Sequence, residues 1–571
     1  MPIGTILQEV DGLVDAFVQK EPVPGVAYGV LVDGQLIHTR GIGTTRVGED
    51  TAPTPNTVFR IASMTKSFTA ATVLQLRDEG LLRLDDLVSS HVPELQAGPP
   101  ITLRHLLTMS AGFPGDDPWG DRQQDLDLGH FAEFLKGGQS FAWTTDTQFE
   151  YSNLGYGILG RVITNVTGLE YRDAVGSRLL QPMGLTSTAY DVDELSTERV
   201  ATGYVRRDDA FIEEPFAGYG ALASMGGLFS SVHDLAAWVD GFARAFGARE
   251  PDVDHPLSLA SRLEMQQAQR TIEPELRWTS IEALPIAVVS GYGFGLFVQT
   301  DLELGKVVSH SGGYPGFGSH MRWHPASSLG VVVLGNRTYF PAAVVGEQML
   351  RALVRGHVAP VHSLRHGQPM EAARSAIERL LASWDDELAA ATFSMNVDMD
   401  EPIDRRRAAI DRLRETHGAL HAYDEPPTSD SPFHLAWWLE GERGHVHVEI
   451  TLDPQPSPKV QHLELTSVPE PDPRIREAVE RLVASADESA TAGDLLLVRT
   501  LFGPCRLGRA IASDTTGATF RVTAERGELD LTVTIDPETA QLLTVKWTPR
   551  PIHPPLFDGP VPPKTEAVRG S

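Results

Sequence analysis

The sequence predicts an α+β protein of several domains, in which a large first domain precedes a tandem pair of small α+β units. Two observations lead to this prediction. Strand-like segments stand at both ends of residues 1–356 around a helical middle, and a helix followed by alternating strands occurs twice in the tail. The chain has 571 residues, of which 41% are hydrophobic and 22% are charged, a composition typical of globular proteins.

A helix and a hairpin open the chain. Apolar residues recur at helical spacing before residue 20: Ile6, Leu7, Val10, Leu13, Val14 and Phe17. This spacing predicts an amphipathic helix. Residues 25–41 hold Asp33-Gly34 between two apolar runs, which predicts a β-hairpin. The N-terminus has neither a basic region nor a continuous apolar run, and no window is apolar enough to span a membrane, so we expect a cytoplasmic protein.

Helical and strand-like segments alternate from the hairpin to residue 356. The stretches 65–79 and 155–167 predict helices, and the segments that begin at Lys306, Ser319 and Gly330 predict three strands joined by Gly- and Ser-rich turns. Because strands stand at both ends of this domain, we expect the two ends to share one sheet.

The tail carries an internal repeat. AIERLLASWDD (376–386) matches AVERLVASADE (478–488) at seven of eleven positions, and in both copies an ERG turn is followed by alternating apolar residues and an Asp-Pro pair. The sequence therefore predicts two α+β units that pack as a pair, at 371–468 and 469–550. The segment 357–370, where Pro, Gly and His accumulate, is the predicted linker, and 551–571 is a Pro-rich tail.

Charge and cysteine content exclude several classes of partner and site. Acidic residues outnumber basic ones by 76 to 48, for a net charge of -28, which argues against nucleic acid and anionic membranes as partners. The single cysteine, Cys505, excludes an intramolecular disulfide framework and a Cys-ligated zinc site. His445 and His447 stand two apart on a predicted strand with no third ligand near them in sequence, so we expect no metal and no cofactor.

One segment combines a serine and a lysine in a way that suits nucleophilic catalysis. Lys66 is the only charged residue in IASMTKSFTAATVLQL (61–76), which predicts a buried helix. Ser63 stands one helical turn before it. Burial lowers the pKa of a lysine, and the neutral amine can then take the proton of a neighbouring hydroxyl.

Two further motifs follow in the chain. Tyr151-Ser152-Asn153 and His310-Ser311-Gly312 come after the Ser63 segment in that order. The order S-x-x-K, Y-x-N, H-x-G, with its flanking sequence, resembles the penicillin-recognising serine hydrolases: class C β-lactamases, DD-peptidases, D-aminopeptidases and related esterases. The resemblance covers about residues 5–355 and implies a β-lactamase-like catalytic domain.

The resemblance also implies roles for individual residues. Ser63 would attack the acyl carbonyl, and Lys66 and Tyr151 would share the work of the general base. Substrate contacts are implied for Asn153, His310, Ser311 and Gly312. The N–H groups of Ser63 and Gly313 would form the oxyanion hole. Residues 114–150, with Trp119, Trp143 and several aspartates, are predicted to form a wall of the pocket.

The predicted function is that of a serine hydrolase that forms an acyl-enzyme on an amide or ester of a small molecule or peptide. His310 stands where β-lactamases have a lysine, which favours a D-amino-acid peptidase or amidase. A carboxylesterase or β-lactamase-like hydrolase, a peptide cyclase or acyl transferase, and a sensor that stays acylated are the alternatives. The C-terminal units are expected to cap the cleft, limit substrate size or mediate homo-oligomerisation.

Overall fold

The structure is a computed structural model that describes most of the chain. The described residues are 3–95, 98–246, 255–277, 286–301, 304–356, 367–429, 431–484, 495, 498–499, 502–524, 527–536, 538–539 and 541–550. The predicted tail 551–571, most of the predicted linker 357–370 and parts of the second repeat lie outside them. The chain divides into two compact units that meet in sequence between His362 and Ser363.

The first unit alternates helices and strands from its first residues to its last. Its helices are α1 (Ile3–Lys20), α2 (Thr65–Asp78), α3 (Val88–His91), α4 (Leu103–Leu107), α5 (Asp117–Gly120), α6 (Leu128–Lys136), α7 (Asn153–Thr167), α8 (Tyr171–Val175), α9 (Ala223–Gly226), α10 (Val232–Ala243), α11 (Leu259–Met265) and α12 (Ala342–Arg355). Its strands are β1 (Gly25–Val32), β2 (Gln35–Gly43), β3 (Val58–Arg60), β4 (Tyr204–Arg207), β5 (Ala210–Glu213), β6 (Phe229–Ser231), β7 (Arg270–Thr271), β8 (Glu275–Arg277), β9 (Ile286–Tyr292), β10 (Phe297–Asp301), β11 (Gly305–Tyr314), β12 (Phe317–His324) and β13 (Leu329–Gly335).

The main sheet of this unit joins its two ends, as predicted. Its antiparallel strands run in the order β2-β1-β13-β12-β11-β10-β9-β7, with β8 also paired to β9. The first strand pairs with the last, Val26 opposite Gly335. The predicted hairpin is also present: Asp33 and Gly34 connect β1 to β2 with φ of 50° and 81°, the left-handed conformation that tight hairpin turns require.

Helices cover both faces of the main sheet. On one face, α1 and α12 bury Ile6, Val10 and Val14 together with the odd-numbered side chains of β13, which explains the helical spacing at the N-terminus. On the other face lies the larger core, into which α2, α7 and α10 pack; Phe68 of α2 stacks on Trp238 of α10. Every residue of α2 from Thr65 to Leu74 is buried, as its nearly uncharged sequence predicts.

The second unit contains two four-stranded antiparallel sheets. Its helices are α13 (Gln368–Ala382), α14 (Asp386–Thr392), α15 (Asn396–Asp400), α16 (Ile403–His417) and α17 (Pro473–Ala484). Its strands are β14 (His421–Ala422), β15 (His434–Gly441), β16 (Gly444–Leu452), β17 (Val460–Pro469), β18 (Cys505–Ser513), β19 (Gly517–Ala524), β20 (Gly527–Ile535) and β21 (Leu542–Pro549). Helix α13 begins at Gln368, so the last residues assigned to the linker are helical instead.

The two sheets place the repeated sequences on equivalent strands. The alternating apolar residues of both copies lie on β16 and β20, the third strand of each sheet, and all are buried: Val446, Val448, Ile450, Leu452, Leu529, Leu531, Val533 and Ile535. Asp453 and Asp536 each follow that strand and accept hydrogen bonds from backbone N–H groups of the next turn. The guanidinium of Arg509 on β18 lies 4.0 Å from the ring centroid of Trp438 on β15, so the copies pack on each other.

Candidate active site

A short helical turn carries Ser63 immediately before α2. Its backbone is held in place by β6, which pairs with β3, and by the Leu228 carbonyl, which accepts a hydrogen bond from Ile61 N at 2.9 Å. Ala62 has a φ of 49°, a conformation that costs an alanine energy and that is found more often at functional sites. Ser63 itself is half-buried, so its hydroxyl is reachable by a substrate.

Lys66 lies in the first turn of α2 with its side chain completely buried. Its Nζ lies 3.0 Å from Ser63 Oγ. Two further contacts, to Asn153 Oδ1 at 2.7 Å and to the Met225 carbonyl at 2.8 Å, involve oxygens that can only accept. A neutral amine has two N–H groups and one lone pair. It can therefore donate to these two oxygens and accept the proton of Ser63.

Asn153 is oriented by carboxylates at the start of α7. Its Nδ2 donates to Asp117 Oδ1 at 2.7 Å, which turns Oδ1 of the amide toward Lys66. Asp116 accepts from the backbone N–H groups of Asn153 and Leu154 at 2.6 and 2.8 Å and so caps the helix. The sequence predicts only that these aspartates lie in a wall of the pocket, because the residues that they contact are distant in the chain.

The pKa values of the lysine and the tyrosine shift in opposite directions. Burial lowers the pKa of Lys66 to about 8, although the negative charges of Asp117, Asp121 and Asp116 oppose this shift. Burial, and then the charge of Asp117, raise the pKa of Tyr151 well above 10. At pH 7 about a tenth of Lys66 is therefore neutral, whereas Tyr151 keeps its proton.

Tyr151 completes the group around Ser63. Its hydroxyl shares a hydrogen bond with the Ser63 hydroxyl. Its ring stacks on Phe297 with centroids 6.4 Å apart, and Lys66 Nζ lies 4.9 Å from the ring centroid. The structure thus brings Ser63, Lys66, Tyr151 and Asn153 together, from two motifs that are separated by more than eighty residues.

His310 is buried on β11 beside this group, 6.4 Å from Tyr151 between ring centroids. Its Nδ1 lies 2.6 Å from the Ser311 carbonyl oxygen, which can only accept, so Nδ1 carries the proton. Its Nε2 then accepts from the Tyr292 hydroxyl at 3.2 Å. Burial, and then the charge of Lys66, lower the pKa of His310 to about 3, so the imidazole is neutral.

The three residues that follow His310 contact different neighbours. Ser311 directs its hydroxyl to His320 Nδ1, 2.8 Å away, and its substrate contact stays a prediction. Gly312 packs against the turn that carries Ser63: a Cβ on Gly312 would lie 2.1 Å from the Ile61 carbonyl oxygen. Its role is to let β11 approach Ser63 closely. Gly313 packs against the ring of Tyr339.

Neither a metal cluster nor a membrane-spanning helix occurs in the part of the chain that the structure describes. No group of three or more His, Cys, Asp or Glu side chains is placed there to hold a metal ion. No helix there is both long and apolar enough to cross a bilayer. The cytoplasmic location stays a prediction.

Comparison with known proteins agrees with the fold. The family model described as Beta-lactamase matches residues 10–355. The chain belongs to the beta-lactamase family. This confirms the resemblance seen in the sequence and the predicted fold class, and it makes the chain a member of a family of serine hydrolases. Of the site, Ser63, Lys66, Tyr151, Asn153 and His310 all lie within the matched region.

Individual relatives of this beta-lactamase-family chain are distant. It is 27% identical over 337 residues to "Protein flp" of Staphylococcus aureus, a match covering 58% of this chain and 63% of that protein. It is 30% identical over 331 residues to "Penicillin-binding protein 4" of Amycolatopsis lactamdurans, covering 56% and 83%. The solved octameric penicillin-binding protein homologue from Pyrococcus abyssi has a similar fold, with a TM-score of 0.53, 20% identity and coverage of 96% and 99%.

Proposed function

We propose that the protein is a serine hydrolase that forms an acyl-enzyme through Ser63, with a D-amino-acid peptide or amide as its preferred substrate. The observation that carries the proposal is the set of contacts of Lys66. Its two fixed acceptors, Asn153 Oδ1 and the Met225 carbonyl, leave the lone pair of the neutral amine for the Ser63 hydroxyl. A serine is a weak nucleophile until such a base takes its proton.

The proposed reaction has two steps. In the first, Ser63 Oγ bonds to the substrate carbonyl carbon and its proton passes to Lys66 Nζ. Tyr151 gives its own proton to the leaving nitrogen or oxygen as the bond to that atom breaks, and Lys66 returns a proton to Tyr151. In the second, a water molecule attacks the ester, the acid leaves, and Ser63 regains its proton. The N–H groups of Ser63 and Gly313 are proposed to hold the oxyanion in both steps.

The neutral state of His310 supports an amidase or peptidase over a β-lactamase. Penicillins and the peptides cut by carboxypeptidases carry a carboxylate, which a cation beside the nucleophile would bind. Both nitrogens of His310 are already engaged, by the Ser311 carbonyl and the Tyr292 hydroxyl, and its pKa is far below 7. The imidazole therefore offers no positive charge to a substrate carboxylate.

Hydrolysis of D-alanine p-nitroanilide and of p-nitrophenyl butyrate, measured side by side, tests the proposal. We expect turnover of the anilide that disappears in Ser63→Ala and persists in Ser90→Ala, a substitution at an exposed serine. Turnover of the ester alone, lost in the same variant, would point to a carboxylesterase. Activity that survives Ser63→Ala would refute the nucleophile assignment.

A time course with an excess of enzyme separates hydrolysis from the other fates of the acyl group. A hydrolase recovers free Ser63, which mass spectrometry of the intact protein detects as loss of the acyl mass. An adduct that persists would indicate a sensor, and a faster recovery on addition of an amine, with the amide as product, would indicate an acyl transferase.

We also propose that the chain forms homo-oligomers through its second unit. Supporting this, residues 363–558 form a compact unit of their own, and the similar solved structure is described as octameric. Sedimentation equilibrium of the full chain would test the proposal: a mass equal to one chain of 62.2 kDa at all concentrations would refute it.

A further inference from the structure

The charges around Ser63 are unbalanced toward the negative side. Three carboxylates act on the charge of Lys66: Asp116, Asp117 and Asp121. Within the described parts of the chain, none of the three forms an ion pair with a Lys, Arg or His side chain. With His310 neutral, three carboxylates face two cations, Lys66 and, near Asp121, Arg60, so this region has a net negative charge when the carboxylates are ionised.

Two of the three carboxylates have structural tasks that account for their presence. Asp116 caps α7, and Asp117 orients the Asn153 amide toward Lys66. Asp121 has no such task. Among the described residues, its side chain bonds to neither a helix N-terminus nor Ser63, Lys66 or Asn153, and Asp121 is only 5% exposed.

Asp121 is connected to the reacting centre through Tyr339. The Tyr339 hydroxyl donates to Asp121 Oδ2 at 2.7 Å, and the ring of the same tyrosine packs against Gly313, where an added Cβ would lie 2.6 Å from Cδ1. The Tyr339 ring therefore lies between Asp121 and Gly313, the glycine that is proposed to hold the oxyanion together with Ser63.

A cation from the substrate would satisfy this carboxylate. Arg60 also senses the charge of Asp121, but it donates its hydrogen bonds to Gln124 Oε1 and the Ala217 carbonyl. Burial raises the pKa of Asp121 to about 6, which means that the surrounding protein does not fully stabilise its negative charge. A buried carboxylate is stable when a partner of opposite charge reaches it.

We propose that Asp121, supported by Tyr339, determines specificity by binding a free ammonium group on the acyl part of the substrate. This inference rests on the proposed function and narrows it: the preferred substrates are amides or peptides whose acyl residue has an unblocked amino group. N-acylated substrates, whose nitrogen carries no charge, are then poor substrates.

A pair of substrates of equal shape tests this inference. Alanine p-nitroanilide carries the ammonium group, and isobutyric acid p-nitroanilide carries a methyl group in its place. We expect the kcat/KM ratio of the two to fall about 10- to 100-fold in Asp121→Asn, the factor expected for a hydrogen bond to a charged group. The loss should appear mainly in KM. Tyr339→Phe should lower the same ratio by a smaller factor, and Asp125→Asn, at an exposed aspartate, should leave it unchanged.

Protection of Ser63 against a fluorophosphonate probe provides a second measurement that needs no anilide turnover. Alaninamide should protect at a lower concentration than its neutral analogue isobutyramide, and Asp121→Asn should remove this difference. Equal protection by the two amides in the wild type, or an unchanged difference in the variant, would overturn the inference while leaving the proposed function intact. Failure of the probe to label Ser63 would instead refute the proposed function.

Discussion

The assignment of Lys66 as the general base predicts a specific pH dependence of acylation. Burial lowers the pKa of this lysine from its ordinary 10.5 to about 8. About a tenth of it is then neutral at pH 7 and about nine-tenths at pH 9, so kcat/KM should rise about tenfold over this range and level off above it. The assay is hydrolysis of a p-nitroanilide across this range, corrected for the rate of Ser63→Ala.

A substitution at Asp117 should shift the pH at which kcat/KM rises. Asp117→Asn removes the negative charge that most strongly raises the pKa of Lys66, while the new amide oxygen can still accept from Asn153 Nδ2. The rise in kcat/KM should therefore shift to lower pH. Asp125→Asn removes a charge that is not among those acting on Lys66, and the profile should stay in place.

Two outcomes would refute this reasoning. A midpoint near 10.5 would mean that Lys66 is not desolvated in the working enzyme. A rate that continues to climb beyond pH 10 would point to Tyr151 as the base in its ionised form, since its pKa lies above that of Lys66. The pH profile thus shows whether Lys66 or Tyr151, which the sequence predicts to share the role of general base, takes the proton of Ser63.

Three further predictions concern stability and packing. Gly312→Ala should reduce kcat/KM at least about tenfold and the free energy of unfolding by about 1–3 kcal/mol, because the added Cβ overlaps the turn that carries Ser63. Gly176→Ala is the control: an added Cβ there meets nothing within 4 Å, so kcat/KM and the free energy of unfolding should change little. Asp116→Ala should cost about 1 kcal/mol in urea unfolding by uncapping α7, and an equal loss in Asp125→Ala would contradict this explanation. Lys66→Met should abolish activity yet stabilise the fold by up to about 3 kcal/mol at pH 7, the cost of a buried ammonium whose pKa is lowered to about 8. The pKa of Lys66 in the folded protein lies below its value in the unfolded chain, so the cost of burying the ammonium is full below about pH 8 and falls as the pH rises to 10.5. The stability gained by Lys66→Met should fall over the same range. A gain that does not depend on pH would refute the desolvation argument.

Much of the fold could be predicted because its signals are local. The helical spacing of apolar residues before residue 20, the Asp33-Gly34 turn and the alternating residues of β16 and β20 each depend on a few neighbours, and the structure confirms all of them. Helix α13 begins at Gln368, within the segment 357–370 that the sequence predicts as the linker. Pro369 stands in the first turn of that helix, a position that suits proline, so a proline there does not mark a break.

The site could be predicted in part. Ser63 lies on the short turn that leads into α2, and Lys66 lies three residues later in the first turn of α2, so their contact follows from spacing alone. The aspartates at 116, 117 and 121 gave no equally specific signal, because their partners on α7 and at Tyr339 are brought to them by the chain fold. Ser311 shares a motif with His310, but neighbouring residues of a strand point to opposite faces, and the Ser311 hydroxyl bonds to His320. The motif alone did not indicate this partner.

The sequence by itself predicted which side chains supply the chemistry, namely Ser63, Lys66, Tyr151 and Asn153, and it predicted the sheet built from both ends of the domain, which the structure contains. Only the tertiary structure decided their charge states. Burial lowers the pKa of Lys66 and of His310 and raises that of Asp121, and the depth of burial depends on elements that are distant in sequence. The physical reason is that ionisation depends on desolvation and on every charge within several ångströms, which no local pattern of residues records.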